Sequence, residues 1–177
     1  MPTVMSHAVV GIALGSLTGI PARRPPFWIT VALLPVIPDL DVIGVAFGIR
    51  FHSVWGHRGI SHSLAFAVVV GLIAALLTRR QTGMRLVPLA LFYAAITASH
   101  GMLDALTNGG PGIAFFAPFD TTRYFVPWRP IPVSPLATHF FSEWGWRVFR
   151  AELVLLWAPA LVVTALSGLA RARRTRR

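Results

Sequence analysis

Five apolar stretches, each near the length of a membrane crossing, set the terms on which this chain can fold. They cover about residues 3–20, 27–47, 60–78, 86–106 and 152–169, and a spanning helix needs about 20 mostly apolar residues. The intervening segment 107–151 is rich in Pro, Gly and aromatic residues and too polar to span. Composition agrees: of 177 residues, 55% are hydrophobic and only 12% are charged. An ordinary soluble domain carries about 25% charged residues, so this chain lacks the polar surface to cover a sphere of its size. The same figures exclude disorder, and the length fits one domain. The expected fold is an all-α membrane protein, a bundle of about four to five transmembrane helices. Residues 1–177 form a single domain with an extended outer segment at 107–151.

Charge gives the bundle a direction. The sixteen basic residues are all Arg, against six acids, for a net charge of +10. Ten of them fall in three clusters beside apolar stretches: Arg23 and Arg24; Arg79, Arg80 and Arg85; and Arg171, Arg173, Arg174, Arg176 and Arg177. Membrane proteins hold their cytoplasmic loops this way, and the tail at 170–177 is placed to meet anionic lipid headgroups. A soluble basic face is missing, so no nucleic-acid partner is expected. The first apolar stretch has no basic residues before it and an Arg pair after it, the pattern of a retained helix rather than a cleaved signal. The N-terminus is therefore expected outside and the C-terminus in the cytoplasm of a multi-pass protein of the cell (inner or plasma) membrane. Trp144 and Trp146 read as part of an interfacial aromatic belt. Cysteine is absent, which excludes disulfides and thiolate metal sites.

Ionisable groups at membrane depth cost a few kcal/mol each and mark functional sites. Here they are His7, Asp39, Asp41, His57, His62, His100, Asp104 and Glu152. With a rise of about 1.5 Å per residue and alternating helix directions, all of them fall at one level in the outer third of the bilayer. His100 and Asp104 are four apart and share one helix face. Pro38 removes a helical hydrogen bond, so a bent backbone can turn Asp39 and Asp41 toward one centre. In His57-Arg58-Gly59-Ile60-Ser61-His62-Ser63 the glycine permits a tight turn that lets both imidazoles face inward. Imidazole with carboxylate, and no sulfur, suits zinc, or alternatively manganese or iron. His52 and His139 read as loop residues without a role.

Those same pieces carry a resemblance. His7, Pro38-Asp39-Leu40-Asp41, the His57–Ser63 block and Ser99-His100-Gly101-Met102-Leu103-Asp104-Ala105-Leu106-Thr107 are the main matches; Pro118-Phe119, Trp128-Arg129-Pro130-Ile131 and Glu152-Leu153 add to them. Over roughly residues 5–160 the chain resembles the YdjM-like membrane-bound metal-dependent hydrolases, a LexA-binding, inner-membrane-associated family. The resemblance implies a divalent metal, zinc first, on His57, His62, His100 and Asp104, with His7 and Glu152 beside them. Asp39 or Asp41, left off the metal, is the expected general base. Arg58, with Arg123 or Arg129 from the outer segment, is expected to clamp a phosphate or other oxyanion. A metal-activated water would attack an ester or phosphoester, and headgroup depth points to a lipid or lipid-like substrate drawn from the bilayer. Two rival classes share the residue set: a metal-ion or proton transporter, and a non-catalytic metal-binding membrane protein. The nearly apolar inner halves of the five stretches weigh against transport.

Overall fold

In the computed structural model the described residues are 1–20, 24–135 and 141–174. Arg23, His139, Arg176 and Arg177 therefore lie outside the described residues. Thr3 starts the first helix, α1 (Val4–Ser16), by accepting a hydrogen bond from the Ser6 amide on its side chain. At 13 residues this helix is about 20 Å long, well short of a hydrocarbon core of about 30 Å. The first expected crossing is thus a short apolar helix.

The second expected segment is broken. Pro25 and Pro26 open α2 (Pro25–Leu33), where their missing amides cost nothing. The helix stops before Pro35, passes through a single 3₁₀ turn at Ile37–Leu40, and resumes as α3 (Asp41–Ala46). The two halves diverge by 59°, the bend that Pro38 demands. Ser63 then caps α4 (Leu64–Thr82) by accepting from the Phe66 amide, and Gly83, in the left-handed region at φ 72°, closes it. α5 (Leu86–Ala105) returns antiparallel to it. After the outer segment, Ser142 caps α6 (Glu143–Glu152), which runs through a π-helical turn at Leu153–Trp157 into α7 (Ala158–Arg174).

Three helical runs, Leu64–Thr82, Leu86–Ala105 and Glu143–Arg173, are long and apolar enough to cross a membrane, and the bent α2–α3 pair makes up to four. The fold is all-α; among the described residues the extended chain contributes only isolated bridges, Thr107 with Ile131 and Ile113 with Tyr124. Gly71 on α4 lets the two backbones touch, since a Cβ there would run into the Ala94 nitrogen and the Ala90 carbonyl of α5. Phe27, Val31 and Leu34 of α2 fill the core against Ala75 of α4 and Leu89, Tyr93 and Ile96 of α5.

The arginine-bearing ends gather at one pole. The Arg24 guanidinium donates to the Gln81 carbonyl, and Arg171 Nη1 donates to the Ser16 carbonyl. At the opposite pole the outer segment folds over the turn that precedes α4: the Leu64 amide donates to Phe115 at 2.9 Å and the Ala114 amide to Arg58 at 3.2 Å. Phe47, Trp55, Phe119 and Trp128 stand exposed around this end.

Candidate metal centre

The break in the second segment supplies the first fixed point. Pro38 has no amide proton, and the Asp39 amide turns to the Val36 carbonyl in the 3₁₀ turn. The Pro35 carbonyl is left over, and His100 Nδ1 donates to it at 2.7 Å. That bond assigns the proton to Nδ1 and leaves the lone pair on Nε2. His62 is fixed in the same sense. Ser61 Oγ donates to Asp41 Oδ2 at 2.6 Å, so it accepts from His62 Nδ1 at 2.9 Å. The two Nε2 lone pairs then face each other at 2.9 Å. Lone pairs held that close repel unless a positive centre lies between or beside them.

Two carboxylates complete the arrangement. Asp39 Oδ1 lies 3.4 Å from His100 Nε2 and 3.7 Å from His62 Nε2. Asp104 Oδ2 lies 4.0 Å and 3.9 Å from the same atoms. Ligand atoms around a tetrahedral zinc at about 2.0–2.2 Å are separated by about 3.3–3.6 Å; His62, His100 and Asp104 lie close enough to share an ion, the two imidazoles parting slightly and the carboxylate drawing in. His7 stacks on His100 with ring centroids 3.9 Å apart, and its Nε2 is 3.5 Å from Asp104 Oδ1. His57 sits at the other side, 5.4 Å from His62 between centroids.

A test of fit comes from unpaired atoms. Both ring nitrogens of His7 and both carboxylate oxygens of Asp39 and Asp104 are buried without a hydrogen-bond partner. A buried polar atom left unpaired costs about 1–3 kcal/mol, more when charged, and these six belong to three neighbouring side chains, with Arg58 Nε at 3.0 Å from Asp104 Oδ2 offsetting part of the cost there. Three groups of donors, His7–Asp39–His100, Asp39–His57–His62 and His62–His100–Asp104, are each close enough to share an ion. Nitrogen and oxygen donors in this number suit zinc, manganese or iron.

The surrounding residues hold the donors in place. Asp41 does not point into the cluster: it receives His57 Nδ1 at 2.8 Å, the Ser61 hydroxyl and the Arg58 amide. A carboxylate behind a ligating imidazole fixes its tautomer and raises its basicity, so Asp41 is a positioning residue rather than a free base. Arg58 is buried, and its Nε lies 3.0 Å from Asp104 Oδ2. Its Nη1 donates to the Gly109 carbonyl and its Nη2 to Thr107 Oγ1. Its backbone occupies the left-handed region at φ 62°, a strained choice for a residue with a Cβ. The guanidinium fits only because residue 110 is glycine, whose Cβ would otherwise strike Nη1. Arg58 therefore secures Asp104 and is not free to clamp a substrate.

Three further candidates make contacts of other kinds. Glu152 is fully buried but bonded elsewhere: it accepts from the Thr3 amide at 2.7 Å, from Thr3 Oγ1 at 2.5 Å and from Ser6 Oγ at 2.6 Å. It anchors the start of α1, one turn before His7, and belongs to none of the three donor groups found among the described residues. Arg123 donates to five carbonyls, those of His52, Ser53, His57, Arg58 and Gly112, and so staples the outer segment to the turn. Burial, with the nearby charge of Arg58, draws its pKa below the usual guanidinium value. Arg129 is exposed and lies over the Phe125 ring at 4.8 Å. Pro35, Ser61 and Thr107 adjoin the site through their hydrogen bonds; Ser61 and Thr107 lie within the matched motifs, and Pro35 carried no signal of its role.

With this geometry in view the lineage can be stated. A family model described as YdjM inner membrane protein matches residues 1–174, which takes in every donor. The chain belongs to the YdjM family. Within reach of this YdjM-family chain is the Inner membrane protein YbcI of Escherichia coli (strain K12), 35% identical over 164 residues, which cover 92% of this chain and 95% of YbcI. No solved structure matches. This is therefore a YdjM-family membrane protein whose buried His and Asp residues are arranged so that they can hold a metal ion.

Proposed function

We propose that this protein is a multi-pass inner-membrane hydrolase that uses a divalent metal, zinc first, against an ester or phosphoester, with a membrane lipid as the substrate class. The observation that carries the reading is the pair of facing Nε2 atoms, His62 and His100 at 2.9 Å, beside the unpaired oxygens of Asp39 and Asp104. When bound there, the cation supplies Lewis acidity toward water and toward the substrate oxygen.

The chain's own residues do the rest. His62, His100, Asp39 and Asp104 hold the ion, with His7 and His57 at either side. Asp41 keeps the proton of His57 on Nδ1, and Ser61 does the same for His62. Arg58 keeps Asp104 aimed inward and offsets part of the carboxylate charge. Arginine at the opposite pole supports a cytoplasmic placement for that end, which sets the cluster and the N-terminus at the outer face. The apolar core packed between α2, α4 and α5 supports an enzyme over a transporter. Exposed Phe119 and Trp128 at the same end support contact with lipid headgroups.

Elemental mass spectrometry on detergent-purified protein, beside His100→Ala, tests the reading, followed by a lipid ester and phosphoester panel. Bound metal that falls in the variant and hydrolysis that depends on it are expected. Wild-type protein that takes up no metal after reloading overturns the metal reading; metal without turnover on the panel overturns the lipid substrate.

A further inference from the structure

A single ion on the four central donors leaves too much unpaired. His7 would keep two buried nitrogens without partners, and Asp39 and Asp104 would each keep a buried oxygen. His57, whose Nδ1 is committed to Asp41, is close enough to Asp39 and His62 to share an ion with them. The three donor groups suggest how these are used. His7–Asp39–His100 and Asp39–His57–His62 share Asp39 alone, and between them they employ all four buried imidazoles. The rings follow one another in a row, His57, His62, His100 and His7, with centroid spacings of 5.4, 4.6 and 3.9 Å. Both oxygens of Asp39 are free of hydrogen bonds, as a carboxylate that bridges two cations requires. Asp41, by contrast, has both oxygens engaged.

Resting on the reading of this cluster as a metal centre, we infer that it holds two divalent cations side by side, one on His57 and His62, the other on His7 and His100, bridged by Asp39. Asp104, with Oδ1 3.5 Å from His7 Nε2, adds a donor to the second ion. The ion on His57, His62 and Asp39 then has three protein donors, which leaves a fourth position open as in a catalytic zinc site, while the ion on His7, His100, Asp39 and Asp104 has four. Two cations spaced by a bridging carboxylate form a clamp for both the attacking and the leaving oxygen of a phosphoester. Charge agrees: with the histidines neutral, three aspartates and Arg58 leave two negative charges, which two divalent ions reverse to two positive ones. The pair of ions, unlike a single one, makes the pocket attractive to an anionic phosphodiester or phosphomonoester.

The experiment is metal stoichiometry joined to paramagnetic resonance on the full-length chain, stripped with chelator and reloaded with Mn(II). Two ions per chain and a spin-coupled signal are expected in wild type. His57→Ala and His7→Ala are each expected to retain one ion and to show an uncoupled Mn(II) spectrum, while exposed His52→Ala keeps two. One ion per chain in wild type with an uncoupled spectrum overturns the two-ion inference and leaves the metal reading intact. No ion in wild type overturns both. Because the wild-type spectrum alone distinguishes these outcomes, a variant that fails to fold does not remove the test.

Discussion

Replacing Glu152 separates a buried anchor from a metal ligand. Its carboxylate takes one amide and two hydroxyls, from Thr3 and Ser6, and Trp157 Nε1 donates to the same Ser6 hydroxyl at 2.8 Å. In Glu152→Gln the carbonyl oxygen keeps the Thr3 amide, and the hydroxyls can turn to accept from the new amide. Hydrogen bonds to a charged group contribute about 1.5–3 kcal/mol and neutral ones about 0.5–1.5, so the exchange costs about 2 kcal/mol. Glu152→Ala strands the amide and both hydroxyls in a dry site, for a loss of about 4 kcal/mol. At about 2–4 °C per kcal/mol for a chain of this size, thermal unfolding in detergent should fall by roughly 4–8 °C for Gln and roughly 8–16 °C for Ala. Bound metal in the Gln variant should equal that of wild type. A Gln variant that melts like wild type but loses metal would refute the anchor and make Glu152 a ligand.

Three other outcomes follow from the same contacts. Asp41→Asn should fold and lower metal affinity about 10–100-fold by titration, because it removes the negative charge behind His57 while sparing the donors; unchanged affinity would mean His57 does not ligate. Arg58→Met should destabilise by about 3–5 kcal/mol in thermal unfolding, since Asp104 is left as a buried charge without its guanidinium, whereas exposed Arg129→Ala should stay within about 0.5 kcal/mol. Single cysteines at Gln81 and at Phe119, probed in intact cells with a membrane-impermeant thiol reagent, should react only at Phe119; the reverse pattern would invert the orientation.

What the sequence made legible is what local spacing encodes. His100 and Asp104 share a face because a helix turn takes 3.6 residues, and Pro38 announces its bend because it lacks an amide. The His57–Ser63 block marks its own turn with glycine. The helices follow apolar runs, yet α1 stops after Ser16, and its length as an apolar run overstated its reach. Roles decided by distant partners were not legible. Asp39 and Asp41 look equivalent in sequence; the 3₁₀ turn between them sends one into the cluster and the other behind His57. Arg58 reads as an anion clamp until its guanidinium is found wedged against Gly110 and Asp104. Glu152 reads as a donor because it sits at the right depth, and nothing local reveals that residues 3 and 6 hold it.

The contact between Glu152 and Thr3 joins α6 to the start of α1, and this orders the events of synthesis. Donors arrive from α1, from the broken second segment, from the turn before α4 and from α5, so the set is complete once residue 104 has entered the membrane. His7, however, sits on a helix too short to cross the bilayer, and its start is held in place only when residue 152 emerges. Until then the first helix is tethered at one end. The polar pocket is therefore closed by a stretch made after every donor residue, and an ion bound there would be enclosed only once residue 152 is in place.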